Sequence, residues 1–449
     1  MAVCVLDRRG KPLMPCSEKR ARLLLARGRA RVHRVVPFVI RLVDRERATT
    51  AVQPVRIKLD PGSNTTGLAL VREDPADAVH HVLVLAEIQH RGLAIRKALL
   101  QRRGYRRRRR SANLRYRAPR FDNRTRPVGW LAPSLQHRVD TTLAWVRRLC
   151  RWAPVTALSM ELVRFDLQRM QNPEISGVAY QQGTLAGYEV REYLLEKWGR
   201  RCAYCAGDGV PLEIDHITPR GRGGSDRVTN LTLACHPCNQ AKGNRSAAEF
   251  GHPAIQAKAK QPLGAAAAVN STRWSLLNAL TATGLAVETG TGGRTKWNRT
   301  RFGVPKTHAL DAACVGVVEG VTGWVAPVLS IRCTGRGAYQ RTRVTQDGFP
   351  RGYLMRHKQV RGFQTGDLVR ATVPSGKKAG VHMGRVAVRA TGSFNIQTPQ
   401  GVVQGIGYRH CCVIQRGDGY GYAQLGATAL PSPAIPPRPE GRGFSRRSG

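Results

Sequence analysis

Acidic residues are scarce in this chain. Of its 449 residues, 29 are Asp or Glu against 73 Lys or Arg, which leaves a net charge of +44 and an isoelectric point near 11.3. That excess is far beyond what solubility requires and points to a nucleic-acid partner. Long apolar runs are missing as well: nothing approaches the roughly 20 residues of a membrane-spanning helix, and there is no secretory apolar segment. The expectation is a soluble, intracellular protein with no membrane partner. A disulfide framework is disfavoured, because seven of the 11 cysteines are scattered. The length suits about three domains.

The other four cysteines are ordered. Cys202/Cys205 and Cys235/Cys238 form two Cys-x-x-Cys pairs, the ligand set of a closed, structural Zn²⁺ site. The 29 residues between the pairs exceed the usual ribbon spacing. They hold Ile214-Asp215-His216-Ile217 and Asn230, and Asn239 follows Cys238. This arrangement resembles the HNH nuclease motif, a ββα unit that cuts phosphodiesters with one metal ion. The chemistry needs an activated water and a cation beside the leaving oxygen. Asp215 is assigned to the metal and His216 to water activation, since neutral imidazole serves as a base near pH 7. Asn239 is an oxygen donor suited to Mg²⁺. Asn230 pins the intervening loop or orients His216. The plainer alternative is a zinc knuckle with an incidental histidine.

Charge is concentrated in residues 91–126, with 15 Lys or Arg and one acid, Asp122. Arg102, Arg103 and the run Arg106, Arg107, Arg108, Arg109, Arg110 are followed by Arg115, Arg117 and Arg120. Few helix breakers interrupt 92–114, so one long helix is predicted. Arginines on all its sides cannot face a protein core and call for a polyanion, whose phosphates they would neutralise. A solvated basic face is the bland alternative.

Acidic residues recur at strand ends in separated segments. Val55 to Leu59 alternates like a strand and runs into Asp60-Pro-Gly-Ser-Asn-Thr-Thr-Gly67. A second short strand, 155–160, ends at Glu161. His308 and Asp311 sit three apart at the start of an apolar helix predicted over 309–318. Carboxylates so placed are how an RNase H-like fold holds two metal ions about one phosphodiester.

In order, these segments resemble the IscB family, transposon-encoded RNA-guided nucleases related to the CRISPR RNA-guided DNA cutters. Pro12-Leu-Met-Pro15 matches the family's amino-terminal signature. Asp60, Glu161 and Thr307-His-Ala-Leu-Asp-Ala312 match its three RuvC segments, residues 91–120 its bridge helix, and Asp215, His216 and Asn239 its HNH insert. The resemblance covers residues 1 to about 320. It implies an α/β multidomain protein with a split RNase H-like RuvC core: an amino-terminal domain at 1–54, RuvC segments at 55–90, 127–190 and 257–330, a bridge helix at 91–126, an HNH domain at 191–256 and a carboxyl-terminal domain at 331–449. It also implies two Mg²⁺ at RuvC, held by Asp60, Glu161 and Asp311 with His308 beside them, and one at HNH. The implied partners are an ωRNA guide and double-stranded target DNA with a short flanking motif, bound by a monomer in the prokaryotic cytoplasm. HNH would cut the guide-paired strand and RuvC the displaced one. Only 34 residues separate Arg126 from Glu161, which leaves no room for the large recognition lobe of the CRISPR relatives.

The remaining segments are read more generally. Ser17 is placed to cap a helix to Arg27. An amphipathic helix over 134–150 turns Leu135, Val139, Val146 and Leu149 or Cys150 inward, and another helix over 178–198 leads into the HNH insert. Residues 290–301 combine four cations, small residues and Trp297, which suits phosphate contact. After residue 330, short alternating runs suggest a small SH3-like β-barrel, and the Pro/Gly/Arg-rich end from about 431 suggests disorder. Two other functions remain: a protein-only HNH/RuvC endonuclease or resolvase that reads DNA directly, and an idle RNA-binding component.

Overall fold

The computed structural model describes residues 2–74, 78–111, 127, 129–162, 188–261, 264–335, 342–344, 350–353 and 357–426. It is a mixed α/β multidomain chain. The amino-terminal unit is a four-stranded sheet of β1 (Val3–Leu6), β2 (Pro12–Cys16), β3 (Ala30–Arg34) and β4 (Val39–Leu42), ordered β2-β1-β4-β3. Helix α1 (Glu18–Ala26) crosses it, and Ser17 caps that helix by accepting from the Arg20 amide at 3.3 Å.

The central sheet determines where the chemistry lies. Its strands include β5 (Val55–Pro61), β6 (Thr65–Glu73), β7 (Val79–Gln89), β8 (Val155–Glu161), β11 (Ala286–Gly290), β12 (Gly320–Thr322), β13 (Val328–Cys333) and β23 (Tyr420–Leu425). The order is β11-β8-β5-β6-β7-β13-β23, with β12 alongside β7. β5, β6 and β7 form an antiparallel meander, while β8 and β11 run parallel to β5.

Strand periodicity divides β5 into two faces. Val55, Ile57 and Leu59 join the core beneath α3 (Pro133–Trp152), with Val139, Trp145, Val146 and Leu149. Leu135 remains only half-buried, so the inward stripe is centred on Trp145. Arg56, Lys58 and Asp60 occupy the other face.

Lys58 is fully buried and donates to the carbonyls of Ala313 (3.2 Å) and Val315 (2.7 Å). These bonds help explain why the helix predicted over 309–318 stops early, as α9 (His308–Ala313). The following carbonyls, of Cys314 and Gly316, accept instead from the buried Asn298 amide. Burial pushes the Lys58 ammonium down from its ordinary 10.5 to about 7. Between those values the unfolded chain holds the extra proton, so this group's contribution to stability rises with pH from about 7 to about 10.5. Lys58→Met should flatten that rise. Urea midpoints at neutral and mildly alkaline pH check it, and equal shifts in both proteins would refute it.

Between β8 and β11 the chain inserts a unit with its own core, built on Tyr193, Leu194, Trp198, Leu233 and Ile255. It comprises α4 (Tyr188–Lys197), the hairpin β9 (Leu212–His216) and β10 (Leu231–Cys235), α5 (His236–Lys242) and α6 (Ala254–Lys260). α7 (Gly264–Thr281) leads back to the central sheet. The helix predicted to enter this unit from residue 178 is described only from Tyr188.

The arginine-rich helix α2 spans Gly92–Ser111. Arg102, Arg103, Arg106, Arg107 and Arg108 are exposed on it. Arg109 and Arg110 continue its backbone, and Arg115, Arg117 and Arg120 lie outside the described residues.

Beyond β13 come two small hairpins, β14 (Thr342–Val344) with β15 (Pro350–Tyr353) and β16 (Gln359–Val360) with β17 (Phe363–Gln364). A five-stranded antiparallel sheet follows, made of β18 (Leu368–Val373), β19 (Gly380–Ala387), β20 (Ser393–Thr398), β21 (Gly401–Gly407) and β22 (Cys411–Gln415), ordered β21-β20-β19-β18-β22. It encloses Val369, Val386, Phe394 and Ile406. The chain then returns to the central sheet as β23, and Asp418 binds Arg148 at 3.0 Å and Arg34 at 2.5 Å. The end expected to be disordered lies outside the described residues. Among the described residues no helix is long and apolar enough to cross a membrane.

Candidate functional site

Two groups of polar side chains stand out. In the first, β5 and β8 are parallel neighbours, with Leu59 opposite Met160, so Asp60 and Glu161 leave the sheet at the same end. α9 crosses above them on β6, where Gly67 permits the approach: a Cβ there would lie 1.7 Å from the His308 carbonyl oxygen. His308 Nδ1 meets Asp60 Oδ2 at 2.8 Å. Asp311 forms an ion pair with the Arg299 guanidinium at 2.8 Å. All four residues singled out in the sequence therefore share one neighbourhood.

Its electrostatics are those of crowded carboxylates. Burial and the charges of Asp60 and Asp311 push Glu161 up to about 8, against a hydrogen bond from Thr295 and the charge of Lys306. Burial and Asp60 carry Asp311 to about 6, with Arg299 opposing. Burial works against the His308 imidazolium, but the hydrogen bond and charge of Asp60 outweigh it and raise His308 to about 9. Carboxylates that repel one another in a shared, largely buried place are a donor set suited to divalent cations.

Thr295 and Arg299 were not singled out as site residues. They lie on α8 (Gly292–Arg301), the stretch whose cations suit phosphate contact. Thr291 caps this helix, and the i, i+4 spacing turns Thr295 and Arg299 toward the acids. Arg301 is spent on the Val318 carbonyl (2.8 Å) and stacks over Trp297 at 4.3 Å. That spacing was the available signal, hidden by a Gly-Gly start and the lack of an apolar stripe.

The second group lies on the β9–β10 hairpin. Asp215 is buried and accepts from Tyr204 Oη at 2.5 Å and from Lys242 Nζ at 3.0 Å. His216 Nε2 lies 2.7 Å from Asp226 Oδ1. Asp226 is held down at about 2 by the hydrogen bonds from Arg220 and then His216. Asn230 accepts from the Thr218 amide (2.9 Å) and donates to the carbonyls of Thr218 (3.0 Å) and Ser225 (2.9 Å), pinning the loop. Asn239, on α5, donates to Glu213 at 2.6 Å. Glu213 was missed, although strand alternation sets it on the same side of β9 as Asp215.

Cys202, Cys205, Cys235 and Cys238 bring four sulfurs within 4.8 Å of one another, with Cys205 and Cys235 3.8 Å apart. A tetrahedron with Zn–S bonds of about 2.3 Å has edges of about 3.8 Å, whereas a disulfide is about 2.05 Å long. None of the 11 cysteines is bridged in a disulfide. The Cys₄ cluster is compatible with zinc.

A family model described as HNH endonuclease matches residues 202–245. The chain carries an HNH endonuclease domain. A second model, described as RRXRR protein, matches residues 3–183, which span the amino-terminal unit, Asp60, α2 and Glu161. The chain is also similar to the CRISPR-associated endonuclease Cas9 of Corynebacterium diphtheriae, at 48% identity over 50 residues, or 10% of this chain and 4% of that protein. Among solved structures, it aligns with the Type II-C Cas9 enzyme from Actinomyces naeslundii at 15% identity, covering 60% of each chain with a TM-score of 0.22. Streptococcus thermophilus Cas9 in complex with the AGAA PAM aligns at 12% identity over 57% of this chain and 32% of its own, with a TM-score of 0.22. The architecture around the HNH domain therefore stands on its own strand order.

Proposed function

We propose that this protein is an RNA-guided DNA endonuclease of the IscB type, with a guide RNA pairing to one DNA strand. The HNH domain cuts that paired strand, and the carboxylate site cuts the displaced one. The observation that carries the reading is the pairing of two separate phosphodiester-type sites in one chain. One is the HNH domain; the other is the convergence of Asp60, Glu161 and Asp311 from distant segments. The meander with two parallel strands at its first strand supports an RNase H-like, RuvC-type core interrupted by α2 and by the HNH insertion.

Within this reading Asp60, Glu161 and Asp311 would hold two Mg²⁺, and Asp215 and Asn239 would hold one on giving up their bonds to Lys242 and Glu213. Bound there, the cations supply charge neutralisation at the attacking and leaving oxygens. His216 takes the proton of the attacking water, and Asp226, 2.7 Å from its Nε2, orients the ring. Arg299 positions Asp311, and His308 positions Asp60. The carboxyl-terminal five-stranded sheet contacts guide RNA and the DNA flanking the target. The protein acts as a monomer with its RNA.

α2 serves as the polyanion bridge. Replacing Arg106, Arg107 and Arg108 together by Gln should reduce the slope of log affinity against log salt by about 2 to 3. Fluorescence anisotropy with labelled RNA over a salt series measures it, and an unchanged slope would place these arginines away from phosphate.

Strand-resolved cleavage of a matched plasmid in Mg²⁺, with and without co-expressed guide RNA, tests the whole proposal. Cutting of both strands only with RNA is expected. RNA-independent cutting would establish a direct-reading nuclease instead, and RNA binding without cutting an idle component.

A further inference from the structure

A second cluster of metal-ligating side chains lies away from both nuclease sites. His90 follows β7, His137 lies on α3, and Cys333 ends β13, yet their ligand atoms fall within 4.8 Å of one another. Around them, Thr66 Oγ1 lies 2.7 Å from His90 Nε2, which leaves His90 Nδ1 buried with no hydrogen-bond partner. Thr141 Oγ1 lies 3.3 Å from His137 Nδ1, and the Arg91 amide donates to His137 Nε2 at 3.4 Å. Thr66 is the neighbour of Gly67, so it faces the side of the sheet opposite Asp60, toward α3.

We infer that His90, His137 and Cys333 form a second zinc site, with one coordination position left to solvent, that pins the root of the arginine-rich helix to α3 and β13. Among the described residues His80 Nδ1 and His90 Nδ1 are both buried without a hydrogen-bond partner, and what separates the His90 nitrogen is that it lies beside two further metal-ligating side chains. With Nε2–H donated to Thr66, the Nδ1 lone pair is free for a metal, and Thr66 supplies the second-sphere bond that fixes the tautomer. Imidazole and thiolate together suit Zn²⁺.

Zinc binding would form one Zn–S and two Zn–N bonds, release the single Cys333 proton to water and break the 3.4 Å bond from the Arg91 amide, which takes the His137 lone pair the metal needs. Arg91 and Arg138 oppose a dication, so this site should lose its metal to a chelator before the Cys₄ site does.

The placement gives the site a purpose. Arg91 immediately precedes α2, its amide meets His137, and its guanidinium donates to the Thr334 carbonyl at 3.0 Å. A metal here would join three chain segments at the point where α2 leaves the core.

The test is metal analysis of the full-length protein after equilibration with Zn²⁺ and desalting. Two zinc ions per chain are expected, falling to one in His137→Gln and, independently, to one in Cys235→Ser. X-ray absorption of the wild type should show a mixed nitrogen and sulfur shell. One zinc per chain with an all-sulfur shell would overturn the inference. So would a second equivalent that survives both His137→Gln and Cys333→Ser, which would mark surface binding. Should Cys333→Ser fail to fold, His137→Gln and the wild-type spectrum decide the matter.

Discussion

Asp60→Ala is expected to turn a double-strand cutter into a nickase. Guide-dependent cleavage of the displaced strand should fall by about 10³-fold or more, the scale on which loss of a charge-stabilising group acts, while the paired strand is still cut. Asp60 is placed between His308, Glu161 and Asp311. Its removal takes away the proposed cation ligand and the partner that holds His308. His216→Ala should give the mirror image, because its HNH domain has a core of its own, separate from that of the central sheet. Strand-specific end labelling on a matched duplex reads both variants. Double-strand cleavage surviving either substitution would sink the assignment of one site to each strand.

Cys235→Ser should have the second large effect. Cys235 ends β10 and is also the residue preceding α5, so its sulfur sits where the hairpin turns into the helix bearing Asn239. With one of four ligands gone, the other three thiols no longer close a tetrahedral site, and such sites contribute directly to folding. We expect loss of the Cys₄-bound zinc and loss of paired-strand cutting by at least about 10²-fold, from displaced Asp215 and Asn239. Cutting by the carboxylate site should persist. Zinc content and strand-resolved cleavage together check this, and unaltered zinc stoichiometry would refute the Cys₄ assignment.

What could be read from the sequence was whatever breaks a local pattern. Asp60 and Glu161 terminate apolar runs, and the adjacent Asp215 and His216 fall between spaced cysteines. What could not be read depends on tertiary surroundings. Lys58 looks like the solvent side of an alternating strand, but β5 is central and covered on both faces, so Lys58 is buried and bonded to the end of α9. That bond, with Asn298, also explains the shortened α9. Arg299 and Thr295 lie on a helix with no apolar stripe to announce it. His90, His137 and Cys333 are each unremarkable alone, 47 and 196 residues apart in turn, and only the sheet brings them together.

The return of the chain to β23 has a consequence for biosynthesis. β13 pairs β23 across the whole carboxyl-terminal sheet, from Cys333 opposite Tyr420 to Val328 opposite Leu425. At about 5–20 residues per second, a ribosome takes seconds to emit the intervening segment, during which β13 presents a bare apolar edge. Such edges invite pairing with other chains. Shielding that edge in the nascent chain is therefore a constraint on producing this protein, in its native cell or in any expression host.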